Sequence, residues 1–207
     1  MSTQAHEADR SAAGSAPRAG LGGSDIALIA VFAALMAVFS IVPAIFQVGG
    51  IPFAIQMIVV LLAPLVLGPV RGASSCALYI LVGVAGLPVF SNGASGPAVL
   101  IGPTGGYLFG FIASGFVAGA AARAALRARP SRRMLPVVLI AAAVLGALTV
   151  HLCGVIFFMA VLHMDLTKAL LTTAPFFPWD VVKAVIAGLL AVAVFTAFPA
   201  LRPTRKA

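Results

Sequence analysis

Charged residues are scarce in this sequence. Only 9% of its 207 residues are charged, whereas 62% are hydrophobic, and no charged residue lies between Arg71 and Arg123. An average soluble domain has about 25% charged residues. The 51 uncharged residues of that interval are more than the ~20 that one helix needs to cross a bilayer, and they suffice for two crossings with an irregular connection. The composition therefore excludes the soluble classes and indicates an integral membrane protein.

Signals for metal or nucleotide chemistry are also sparse. The two cysteines, Cys76 and Cys153, lie in separate apolar runs, so we predict neither a disulfide framework nor a metal site. The segment GPTGG at 102–106 invites comparison with a phosphate-binding loop, but such a loop requires a Lys after its last glycine, and Tyr107 follows here. We therefore expect no ATP hydrolysis, no enzymatic activity and no cofactor.

The net charge of +8 is concentrated at the ends of apolar runs, which is typical of anchoring in a membrane and argues against a nucleic-acid partner. Eleven basic residues fall on one predicted side of the membrane, against Lys168 and Lys183 on the other. By the positive-inside rule, both termini are predicted to be cytoplasmic, and membrane lipid surrounds the chain.

Six apolar runs predict an all-α integral membrane protein with six transmembrane helices and irregular outer-face loops. The predicted spans are 26–46, about 57–67, 72–87, 104–122, 134–162 and 181–200. They form a six-helix membrane domain over 25–201. Residues 1–24 lack apolar periodicity and are predicted to be a disordered cytoplasmic tail, and 202–207 a basic cytoplasmic tail.

The stretch 86–111 is the least regular part of the membrane domain. It reads GLPVFSNGASGPAVLIGPTGGYLFGF and contains ten Gly and Pro residues, so it cannot be helical throughout. Irregular backbone at membrane depth is tolerated only where protein buries it or a polar cavity solvates it. We therefore expect a pocket on the outer face, next to the uncharged loop 43–56, which is a candidate lid.

Asp180 and Lys183 are a carboxylate and an ammonium at or inside a predicted span, and each costs about 2.5–3.5 kcal/mol at a helix centre. Because they are three residues apart, they lie on one helical face and can pair with each other. Alternatively, Lys183 binds an anionic ligand group while Asp180 accepts ligand N–H donors. Pro175 and Pro178 predict a non-helical approach to this site. Apolar walls are expected from Phe90, Tyr107, Phe176, Phe177 and Trp179.

Two further patterns allow alternative interpretations. GASG at 93–96, together with His151, is similar to the Ser/His pair of rhomboid intramembrane proteases, which would make Ser95 a nucleophile; His151 is otherwise a hydrogen-bonded core histidine. In the first span, Ala30, Ala33, Ala34 and Ala37 form two small-xxx-small pairs. These pairs either pack inside the protein or dock a partner helix.

A combination of motifs resembles the BioY family, the biotin-binding membrane subunits (S components) of energy-coupling-factor (ECF) vitamin transporters. The motifs are GLPVFSNGASG followed by VLIGPTGGYLFGF, PFAIQ upstream, LGPVRGA between them, and D-x-x-K at Asp180 and Lys183. The resemblance covers about residues 26–200. Family members often read PFTLQ where this chain has PFAIQ, so Ala54 and Ile55 depart from the pattern.

The resemblance implies a six-helix subunit in the bacterial cytoplasmic membrane that captures biotin from outside. Uptake would be driven by a partner complex of an ECF transmembrane coupling subunit and two ATPase subunits. Asp180 and Asn92 would bind the ureido ring, Lys183 would hold the valerate carboxylate, and Gln56 would belong to the loop at the gate. The alternatives are the same scaffold carrying another small vitamin, or an intramembrane serine hydrolase that uses Ser95 and His151.

Overall fold

The computed structural model describes residues 22–41, 47–48, 51–52 and 54–202. Within these ranges the chain is almost entirely helical, which confirms the all-α class. The helices are α1 Gly23–Ile41, α2 Met57–Leu67, α3 Pro69–Val84, α4 Gly105–Arg127, α5 Met134–Ala160, α6 Leu166–Thr173 and α7 Phe177–Ala197. Short 3-10 turns cover Ser91–Gly93, Pro97–Ile101 and Pro199–Leu201. Two antiparallel two-residue strands, β1 Gln47–Val48 and β2 Ile51–Pro52, pair Gln47 with Pro52.

Six of these helices are the apolar segments that the sequence predicts, but they differ in length. Helices α1, α4, α5 and α7 are long and apolar enough to cross a membrane, whereas α2 and α3 have 11 and 16 residues. Both are shorter than the ~20 residues of a full crossing. They are short because Gly68, at a φ of 84°, separates them and Pro69 begins the next helix. The count of six spans therefore stays a prediction, and four long apolar helices are observed among the described residues.

The approach to α7 differs from its prediction. Helix α7 begins at Phe177 and includes Pro178, so Pro178 does not keep this segment irregular. Proline is tolerated in a first helical turn, where its missing N–H would have no intrahelical partner. The preceding segment is predicted to be a loop, but it contains the helix α6. The Asp165 carboxylate caps the first turn of α6 by accepting a hydrogen bond from the backbone N–H of Lys168 at 3.0 Å.

Several predicted segments fall mainly outside the described residues. This group includes residues 1–21 of the predicted N-terminal tail and 203–207 of the C-terminal tail. Helix α1 begins at Gly23. Of the candidate lid loop, the structure describes only the two short strands and residues 54–56. The tails and the lid stay predictions.

Helix α4 packs against α2, α3 and α5. Its glycines allow close approach: a Cβ on Gly115 would lie 2.6 Å from the Cα of Ala73 on α3. A Cβ on Gly106 would overlap Phe157 of α5. Small residues at helix contacts are typical of membrane bundles, because they let backbones come close enough for dispersion to stabilise the pair. This packing fixes the position of Tyr107, the residue after Gly106.

Helix α2 is buried on nearly all sides. Nine of its eleven residues are buried, and it lies against α1, α3, α4, α5 and α7. At its C-terminal end, the Arg123 Nη2 group of α4 donates a hydrogen bond to the Leu67 carbonyl at 3.1 Å. This bond satisfies one of the carbonyl groups that a helix end leaves without an intrahelical partner.

Candidate functional site

A cavity of about 330 Å³ lies where the irregular segment meets the beginnings of α2 and α4. Its lining consists of Ala54, Gln56, Tyr79, Phe90, Ser91, Asn92, Ala94, Val99, Gly102, Pro103, Thr104, Tyr107, Leu108 and Phe111. Pockets for small ligands have volumes of about 300–1,000 Å³ and mostly apolar walls with a few polar groups. The cavity fits a small molecule, and the stretch 86–111 supplies most of its wall.

Phe90 forms an apolar wall that its neighbours hold in place. Its ring meets the ring of Tyr79 edge to face, with centroids 5.6 Å apart. Gly83 leaves room for the Phe90 ring, since a Cβ there would overlap it. The Tyr79 hydroxyl donates to the Val89 carbonyl, 3.0 Å away, and lies 3.2 Å from Ser40 Oγ. These contacts connect Phe90 to α3 through Tyr79 and Gly83 and, through the Tyr79 hydroxyl, to Ser40 of α1.

Two residues that line the cavity carry buried polar atoms with no hydrogen bond of standard geometry among the described residues. Gln56 is only 2% exposed. Its Nε2 atom and the Tyr107 hydroxyl are both buried and make no hydrogen bond within the part of the chain that the structure describes. Leaving a buried donor unpaired costs about 1–3 kcal/mol, so an acceptor on a ligand would stabilise this wall. Asn92 is exposed at a φ of 61°, a left-handed conformation that Asn tolerates better than most residues.

A second polar group lies on α5 and α7. Asp180 and Lys183 are 6% and 7% exposed, and the Lys183 Nζ atom is 2.8 Å from Asp180 Oδ1. The other carboxylate oxygen, Oδ2, is 2.9 Å from Nε2 of His151, which is 7% exposed. The two residues therefore pair with each other, as one alternative predicts, and His151 is a hydrogen-bonded core histidine.

The predicted site residues thus form two groups that Tyr107 connects. Gln56, Phe90, Asn92 and Tyr107 all line the cavity, whereas Asp180 and Lys183 are not among its lining residues. The Tyr107 ring also meets the His151 ring edge to face at 6.0 Å.

Of the aromatic residues expected as apolar walls, Phe90 and Tyr107 line the cavity, and Phe177 contacts the ring of His151 beside Asp180. Phe176 is buried in a separate cluster with Val155 and Phe158, and neither it nor Phe177 or Trp179 lines the cavity. Sequence reasoning missed Tyr79 and Thr104 as lining residues, because nothing in their local pattern separates them from structural residues.

The Ser95 and His151 pair does not form. Ser95 is exposed between the two 3-10 turns that precede α4. Among the described residues, no hydrogen bond joins it to His151, whose Nε2 atom faces Asp180. The geometry of a serine hydrolase, in which the base contacts the nucleophile, is therefore not found.

The four alanines of α1 face different surroundings. Ala33 is 6% exposed and belongs to the core, and Ala37 packs against that core. Ala30 and Ala34 are exposed. One small-xxx-small pair therefore packs inside the protein, and the other is accessible to a second helix.

Comparisons with known proteins give one consistent result. The family model described as the BioY family matches residues 11–200. "Biotin transporter BioY" of Thermotoga maritima is 38% identical over 144 residues, which are 69% of this chain and 80% of the relative. The protein of the same name from Rhizobium etli is 36% identical over 180 residues, covering 86% and 96%.

A solved structure shares the fold of this chain. It is the crystal structure, at 2.1 Å, of the S-component for biotin from an ECF-type ABC transporter. It superposes with a TM-score of 0.74 at 22% identity and covers 84% of this chain and 91% of its own. The match over most of the sequence, from α1 to the end of α7, shows that the chain belongs to the BioY family.

Proposed function

We propose that this chain is the substrate-specific membrane subunit of a biotin transporter. It captures biotin from the outer face of the bacterial cytoplasmic membrane. The observation that supports this most directly is the cavity lined by Gln56, Asn92 and Tyr107, in a chain whose relatives are named biotin transporters. The cavity has the size of a small-ligand site, and its buried unpaired groups offer hydrogen bonds to a polar ligand.

The chemistry of biotin matches the two groups of residues. A ureido ring offers two N–H donors and one C=O acceptor, which a carboxylate and an amide complement. We assign Asn92 and Asp180 to this ring, Phe90 and Tyr107 to its apolar walls, and Gln56, in the loop at the gate, to a hydrogen bond with the ligand. Lys183 holds the valerate carboxylate by exchanging its bond to Asp180 for one to the ligand.

We propose that other subunits couple uptake to energy. We propose an ECF transmembrane coupling subunit and two ATPase subunits, since GPTGG at 102–106 lacks the lysine of an ATP-binding loop. The accessible pair Ala30 and Ala34 is the proposed contact for a helix of the coupling subunit. Six spans with both termini in the cytoplasm agree with the distribution of basic residues.

Binding of a panel of labelled vitamins to the purified protein in lipid nanodiscs tests the assignment. We expect saturable binding of biotin that unlabelled biotin displaces and that other vitamins do not. Tighter binding of another vitamin would instead assign the scaffold to that ligand. Peptidase activity that disappeared in Ser95→Ala would contradict the transporter assignment, and Ser95→Ala should otherwise bind biotin like the unaltered protein.

A further inference from the structure

His151 contacts the proposed ligand-binding carboxylate from a different helix. It lies on α5, whereas Asp180 and Lys183 lie on α7. The two partners of Asp180 use separate oxygens: Lys183 bonds to Oδ1 at 2.8 Å and His151 Nε2 to Oδ2 at 2.9 Å. The two partners therefore do not compete for the same oxygen.

The direction of the bond to His151 follows from the chemistry of the carboxylate. An ionised carboxylate can only accept hydrogen bonds, and Asp180 faces the ammonium of Lys183. The Nε2 atom of His151 must therefore carry a hydrogen and donate it to Oδ2. Such charge-assisted bonds are about twice as strong as bonds between neutral groups.

Aromatic neighbours fix the orientation of the His151 ring. The ring of Phe177 meets it edge to face with centroids 5.3 Å apart, and the ring of Tyr107 does the same at 6.0 Å. Tyr107 also lines the cavity. The donor is consequently held by α4, α5 and α7 together, which are the elements on which the proposed site is built.

We propose that His151 is a positioning residue that keeps the Asp180 carboxylate bonded and oriented while Lys183 turns to the ligand carboxylate. This inference rests on the proposed function. A pair of charges that must separate during binding needs a second partner for the charge left behind, because a buried carboxylate without one is strongly unfavourable. His151 provides that partner at an oxygen that Lys183 does not use.

The test compares two substitutions at this position. His151→Leu removes the donor, and we expect the affinity for biotin to fall about ten- to hundred-fold, the loss typical of a hydrogen bond to a charged group. His151→Gln keeps an N–H group near the position of Nε2, and its affinity should return to within about three-fold of the unaltered protein by the same reasoning. A biotin amide should show the same pattern, because Asp180 binds the ring and not the carboxylate.

Controls separate positioning from folding. His163→Gln repeats the substitution at an exposed histidine and should bind biotin normally. If His151→Leu does not fold, His151→Asn replaces it, since the shorter amide is one methylene too far from Asp180, and it should bind more weakly than His151→Gln. Equal affinities of the Leu and Gln variants, or of the Asn and Gln variants, would overturn the inference. Failure of the unaltered protein to bind biotin would instead overturn the proposed function.

Discussion

Replacing Lys183 separates the proposed role in ligand binding from simple pairing with Asp180. If Lys183 binds the valerate carboxylate, Lys183→Ala should weaken the binding of free biotin far more than that of a biotin amide, which has no charge to pair. The lysine is buried at 7% exposure, so its bond to a carboxylate should contribute about 1.5–3 kcal/mol, or about ten- to hundred-fold in affinity.

The assay measures affinity for both ligands and the melting temperature without ligand. His151 still donates to Asp180 in Lys183→Ala, so we expect only a moderate loss of stability. Asp180→Asn should weaken the acid and the amide alike, because both contain the ureido ring. Lys168→Ala alters an exposed lysine on α6 and serves as the control with unchanged affinity.

Pairing alone predicts a different result. If Lys183 serves only to neutralise Asp180, its removal takes away one of the two partners of that carboxylate, because His151 still bonds to Oδ2. The melting temperature should then fall moderately, as it does if Lys183 binds the ligand. The affinities for free biotin and for the biotin amide should then fall by the same factor. Equal weakening of the acid and the amide in Lys183→Ala would refute the role in carboxylate binding.

Two further predictions concern α1 and the cavity wall. Ala34→Trp should lower uptake driven by the coupling subunits and leave biotin binding intact. Ala33→Trp should instead overpack the core and cost about 1–3 kcal/mol in the free energy of unfolding. Equal loss of uptake and binding in Ala34→Trp would argue against docking of a partner helix at this position. Gly83→Ala should displace the Phe90 ring and weaken biotin binding in the same assay. Phe90→Leu in the same chain should restore part of the affinity, and no rescue would mean that Gly83 acts in another way.

The parts of the fold that could be predicted are those with strong local signals. Long uncharged runs predict α4 and α5 to within about five residues, because membrane insertion depends mainly on composition. Pro178 was misinterpreted, since proline breaks a helix interior but is accepted in a first turn. Helix α6 was missed, although the N-cap Asp165 followed by LTKALL is a local helix signal.

The candidate site, too, could be predicted from the sequence only where its residues are close together along the chain. Asp180 and Lys183 could be paired from sequence because they are three apart on one helix. The third member, His151, is 29 residues from Asp180 in sequence, and only the packing of α5 against α7 brings them together. Likewise, the motif that contains Asn92 indicates a pocket but not which residues line it. The packing of the helices places Asn92 and Gln56 in one cavity, and Asp180 does not line that cavity.

The short, apolar helix α2 also determines what lies next to the cavity in the interior of the protein. Gln56 lines the cavity, whereas none of the residues of α2 that follow it does, so the helix runs away from the cavity from its first residue. Its 11 residues extend about 16 Å along the helix axis. All eleven side chains are apolar, and nine of the eleven residues are buried. We therefore expect α2 to form a dry, apolar segment next to the cavity that spans about half the thickness of the hydrocarbon core and excludes water from the interior of the helix bundle.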